Sequence, residues 1–88
     1  MTQPVLTARA ADRITLVRTL WQEVLEVDEV PEDTNFFDAG GDSLLLVALV
    51  ERIRQASGQS VRTMDVLRAG TVRGQAELLA AGTDVVTR

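Results

Sequence analysis

The stretch Asn35-Phe36-Phe37-Asp38-Ala39-Gly40-Gly41-Asp42-Ser43-Leu44 decides how the chain is read. Two aromatics lead into a double glycine, an Asp-Ser pair follows, and a helical pattern runs from Leu44 to Ile53. Glycine tolerates backbone angles that a Cβ disfavours, so the loop can bend sharply at Gly40 and Gly41. Asp42 or Ser43 suits the N-cap of the next helix, because either side chain accepts a hydrogen bond from the free N–H groups of a first turn. The Ser43 hydroxyl then stands at the positive end of a helix, where those N–H groups and the macrodipole favour a phosphate.

Downstream of this junction the pattern predicts a helix from Ser43 to about Ala56, with Gly58 as its C′ stop. Leu46, Leu49, Val50 and Ile53 form its core stripe. At 100° per residue, Leu44 and Ala48 fall on the side of Glu51 and Gln55, and Leu45 and Val47 flank them. The first two turns therefore present apolar side chains beside Ser43, which is the composition of a small docking surface.

Upstream, Ala10, Ile14, Val17, Leu20, Trp21, Val24 and Leu25 recur at three- and four-residue steps, with Asp12, Thr15, Thr19, Gln22 and Glu26 opposite. That is one amphipathic helix, and its stripe makes Trp21 a core residue. Pro31 and clustered acids break the pattern from Val27 to Thr34, and a long loop continues to Asp42. Phe36 and Phe37 are expected to pin that loop onto the core. Loops of this length without regular structure often carry function.

Towards the C-terminus, Thr63 is expected to cap a short helix from Met64 to Arg68, ended by Ala69-Gly70. Thr71 is expected to cap a last helix from Val72 to about Ala81, with Val72, Ala76, Leu78 and Leu79 as its stripe and Gly82 as its stop. Residues 1–8 and 83–88 are expected to be a disordered and a loose tail, leaving residues 9–82 as one domain. The fold class is all-α: a small four-helix bundle with a long first loop and a short third helix.

The 88 residues, 45% of them hydrophobic, build one modest core and leave little room for a deep enzyme cleft. The chain contains neither cysteine nor histidine, which removes a disulfide framework and a Cys/His metal site. It has neither a signal-peptide pattern nor an apolar run of spanning length, so the expected place is the cytoplasm, away from membranes. Seven acids and no base lie between residues 26 and 42, within a net charge of −4. Acid beside Ser43 argues against nucleic acid and suits basic protein surfaces.

Gly41-Asp42-Ser43-Leu44 also spells the nucleophile block of the GDSL esterases. A serine nucleophile of that kind needs a general base, and the chain has no histidine and no lysine, nor an expected sheet to present it. A serine modified by a separate enzyme needs no such activation, only exposure and a surface to grip.

The central stretch resembles the attachment motif of the phosphopantetheine-dependent carrier proteins. Within them it is most similar to the peptidyl carrier (thiolation) branch of nonribosomal peptide synthesis, whose usual form is Phe-Phe-Asp-x-Gly-Gly-(Asp/His)-Ser-Leu. The likeness runs from about Ile14 to Leu79, with Ala39 standing where the family usually has leucine. It implies the acyl-carrier-protein-like bundle, a non-catalytic carrier, and 4′-phosphopantetheine joined through a phosphodiester to Ser43, next to Asp42. The arm's thiol would hold an aminoacyl or acyl group as a thioester.

The implied partners are a phosphopantetheinyl transferase, an adenylating or acyl-loading enzyme, and downstream condensing, tailoring or thioesterase enzymes. Their expected contacts are Leu44, Leu45, Val47, Ala48, Met64 and Leu67, on a monomer. Discrete length and a methionine start suggest a free-standing carrier. The alternatives are an acyl carrier of a polyketide or fatty-acid pathway, which more often has a bulky residue before Asp-Ser, and an unmodified helical adaptor.

Overall fold

The computed structural model describes residues 10–85, with side chains from 12 to 81. The tail expected at residues 1–8 lies outside the described residues, as do residues 86–88. Four helices follow in order, α1 (Ala10–Leu25), α2 (Ser43–Ser57), α3 (Thr63–Ala69) and α4 (Val72–Val85), and no strand occurs among the described residues. α1 packs against both α2 and α4, and the short α3 fills the gap between α2 and α4.

Each helix buries the stripe that its spacing marks out. Val17, Leu20, Trp21 and Val24 of α1 meet Leu46, Leu49, Val50 and Ile53 of α2, and Val66, Val72, Ala76 and Leu79 close the core from α3 and α4. Ile14, Leu25 and Leu78, expected in the stripes, are only partly buried at its edge. Val30 and Val61 are buried as well and pin the α1–α2 and α2–α3 connections.

A buried polar pair joins three of the helices. The Trp21 indole Nε1–H donates to Gln75 Oε1 at 2.9 Å, and Gln75 Nε2 donates to the Val66 carbonyl at 3.1 Å. Gln75 thus spends its amide on α1 and on α3 at once, which satisfies groups that would be costly to bury unpaired.

The helix ends show where local chemistry decides and where it does not. α1 stops although no glycine is present: Glu26 takes a left-handed φ of 58°, and the Val27 N–H closes back on the Gln22 carbonyl at 3.2 Å. α2 stops at Gly58, with φ 73° and its N–H on the Arg54 carbonyl. Thr63 is not a cap; it is the first residue of α3, and the capping position is Arg62, without a side-chain bond. Thr71 does cap α4, its Oγ1 accepting the Gly74 N–H at 3.0 Å. Gly82 does not stop α4, which continues to Val85, so residues 83–85 are helical rather than a loose tail. A glycine inside a helix costs only about 1 kcal/mol relative to alanine.

Candidate functional site

The loop from Val27 to Asp42 is a fixed structure. Arg18 of α1 and Arg73 of α4 grip the same carboxylate, Glu32, each at 2.8 Å, and Arg73 Nε holds Asp33 at 2.9 Å. The hydrogen bond from Arg73, and then its charge, hold the Asp33 carboxyl below its ordinary range. Two backbone bonds bind the loop to the first turn of α4 and to the α3–α4 turn: Arg73 N–H to the Glu32 carbonyl at 3.1 Å, and Phe36 N–H to the Gly70 carbonyl at 2.8 Å. Two of the seven acids, Glu32 and Asp33, are thereby paired within the fold.

The two phenylalanines divide their work. Phe36 is buried, edge-on to Trp21 with ring centroids 4.9 Å apart. A Cβ at Gly41 would collide with the Phe36 ring, so the close approach of ring and backbone requires glycine there. The Gly41 N–H also bonds the Phe36 carbonyl at 3.0 Å. Phe37, expected to pin the loop onto the core together with Phe36, is 42% exposed and meets the Phe36 ring edge-on at 5.9 Å. Its N–H is taken by Asn35 Oδ1 at 2.8 Å, an Asx turn that aims the next residue outward.

Ser43 is exposed and is the first residue of α2. Asp42 is the N-cap: its Oδ1 accepts the Leu45 N–H at 2.9 Å, and its carbonyl accepts the Leu46 N–H at 2.8 Å. The N–H groups of Ser43 and Leu44 therefore lie ahead of the first intrahelical bond and have no acceptor in the helix. Gly40 takes φ 113°, a left-handed angle that favours glycine, and a Cβ there would meet nothing within 4 Å. An exposed hydroxyl, two free donors and a helix dipole fit a phosphodiester.

The expected contact residues separate. Leu44 is 78% exposed, Val47 59% and Met64 55%, and Ala48 is exposed with them. Leu45 of α2 and Leu67 of α3 are half-buried and pack against the core. No helix of the described residues is long and apolar enough to cross a membrane.

Comparison with known proteins falls on this same region. The family described as "Phosphopantetheine attachment site" matches residues 15–79. A dimodular nonribosomal peptide synthase of Bacillus subtilis is 46% identical over 63 residues, covering 72% of this chain and 3% of the synthase. The nonribosomal peptide synthetase asaC of Aspergillus flavus is 34% identical over 73 residues, 83% of this chain and 7% of the synthetase. The chain thus spans a small part of the length of these relatives. A solved nonribosomal PCP domain superposes with a TM-score of 0.68 at 32% identity, covering 89% of this chain and 94% of that one.

Proposed function

This chain belongs to the phosphopantetheine attachment site family, as a peptidyl carrier domain, and we propose that Ser43 Oγ is where its 4′-phosphopantetheine is joined. The exposure of Ser43 as the first residue of α2, on a loop held from both sides, carries this reading. In the attachment step Ser43 Oγ forms a bond to the phosphorus of coenzyme A that bears the pantetheine. 3′,5′-ADP leaves, and the hydroxyl proton passes to a base on the transferase, since this chain has no histidine to take it. When attached, the group supplies a terminal thiol that holds an acyl or aminoacyl chain as a thioester.

The remaining work of the chain is presentation. Asp42 caps α2 and fixes the first turn, so that the Ser43 and Leu44 N–H groups stay available to the phosphodiester. Leu44, Val47, Ala48 and Met64 offer an apolar surface for the adenylating, condensing, tailoring or thioesterase partners, while Leu45 and Leu67 support it from beneath. The domain acts without a catalytic centre of its own, as a monomer in the cytoplasm where coenzyme A is supplied.

Intact mass after incubation with coenzyme A, magnesium and a broad-specificity phosphopantetheinyl transferase tests the assignment. One added phosphopantetheinyl group, absent from Ser43→Ala, is expected. An unchanged mass in a folded protein would overturn it and leave the adaptor reading.

A further inference from the structure

We infer that Gln75 is a positioning residue for the attachment loop: from the core face of α4 it locates, through two separate lines of contact, the Phe36 on which the entry to Ser43 is built. This deepens the reading of Ser43 as the attachment site and rests on it. Among the described residues Gln75 is the polar side chain buried in the core, 1% exposed between Val72 and Leu79. An apolar side chain of similar size would fill that place, and a satisfied buried amide adds little net stability over one. What the amide adds is direction, because its bonds hold in only one arrangement of its partners.

The first line runs through α1. Gln75 Oε1 accepts the Trp21 indole N–H at 2.9 Å, which fixes the rotation of a fully buried side chain. The Phe36 ring stands on that indole at 4.9 Å and 85°. The second line runs through α3. Gln75 Nε2 donates to the Val66 carbonyl at 3.1 Å, and the same carbonyl accepts the Gly70 N–H at 3.1 Å. The Gly70 carbonyl in turn accepts the Phe36 N–H at 2.8 Å. The ring and the backbone of Phe36 are thus located separately, and both lines begin at one amide.

From Phe36 the step to the site is short. Its carbonyl accepts the Gly41 N–H at 3.0 Å, and its ring occupies the space that a Cβ on Gly41 would need. Gly41 directly precedes Asp42, the cap of α2, and then Ser43. Without the Gln75 amide the indole can rotate and the turn from Val66 to Gly70 can shift, so Phe36 loses its unique seat. The chain then holds the productive arrangement at Ser43 for only a fraction of the time. That raises the apparent KM by the reciprocal of the fraction and leaves kcat unchanged.

Native-state hydrogen exchange on the whole wild-type chain is the first test. The Trp21 indole N–H and the Phe36 amide should exchange through one shared opening, with protection equal within about threefold. A Phe36 amide that exchanges far ahead of the indole would overturn the inference, and this measurement needs no modification of Ser43. The second test uses Gln75→Leu, alone and combined with Trp21→Phe, which removes the donor that Gln75→Leu leaves without an acceptor. In both variants exchange at Phe36 and Gly41 should quicken roughly tenfold. Modification by a broad-specificity transferase with coenzyme A should show KM raised about fivefold and kcat unchanged. A role in stability alone predicts a different pattern. The double variant melts above Trp21→Phe because no member of the pair is orphaned, and its loop would tighten again with it. Wild-type exchange and KM in the double variant would overturn the inference while the Ser43 assignment stands. If neither variant folds, the wild-type exchange pattern decides. A wild-type chain that the transferase leaves unmodified would overturn the Ser43 assignment and the role of Gln75 in it together.

Discussion

Trp21 and Gln75, 54 positions apart, share a buried hydrogen bond of 2.9 Å, and the same Gln75 amide reaches the Val66 carbonyl of α3. The indole therefore matters both as apolar volume and as a donor. Trp21→Ala should cost about 3–5 kcal/mol. Trp21→Phe keeps most of the ring but leaves Gln75 Oε1 buried without its donor, so it should cost about 1–3 kcal/mol. Urea denaturation measures both, and a Trp21→Phe protein as stable as wild type would remove the hydrogen bond from the account.

Gly41 should couple energetically to Phe36. Gly41→Ala forces a methyl into the ring and should destabilise by about 1–3 kcal/mol. Phe36→Leu makes room, so the double variant should be less destabilised than the two single costs together predict. Additive costs in the double-mutant cycle would show that the clash is relieved elsewhere.

Leu44 and Leu45 should behave differently under the same substitution. Leu44→Glu alters an exposed side chain and should leave the melting temperature close to wild type while weakening loading by partner enzymes. Leu45→Glu places a carboxylate against the core and should destabilise by roughly 1–3 kcal/mol. Thermal melts followed by circular dichroism separate the two.

Asp33 should titrate below the usual carboxylate range, because Arg73 donates to it and stabilises its charged form. Its folded pKa is depressed, so its contribution to stability is present above the unfolded carboxyl pKa. That contribution is lost as pH falls through the lower folded value. Both groups are exposed, so the readout is an NMR titration of the Asp33 carboxyl. Arg73→Gln should return it towards the ordinary range, and an unmoved titration would dissolve the pair in solution.

The four helices were legible because their apolar residues keep a strict spacing, from Val17 to Val24, from Leu46 to Ile53 and, less densely, in α4. Gly58 and Gly70 marked their stops because each takes the left-handed turn that glycine favours. Glu26 makes the same turn with a side chain, and nothing in its identity announces it. Gln75 occupies a core position by spacing, three residues after Val72 and four before Leu79, but its polarity hid it until Trp21 appeared opposite. The pairing of Glu32 and Asp33 with Arg73 spans some 40 residues, a distance over which local pattern is blind. For the site, Asp42 and Ser43 were readable from cap chemistry, whereas the exposure of Phe37 depends on an Asx turn that sequence adjacency to Phe36 concealed.

The two backbone bonds that join Glu32 to α4 and Phe36 to the α3–α4 turn have a consequence for delivery. They tie the loop that leads to Ser43 onto the bundle, so with Ser43 as the proposed attachment point the volume available to a cargo is set by tether length around that centre. Local concentration at a partner's reaction centre then depends on where that partner holds the bundle and on whether the tether spans the gap. A partner could thus select its turn in a sequence of reactions by geometry alone, without the carrier changing shape.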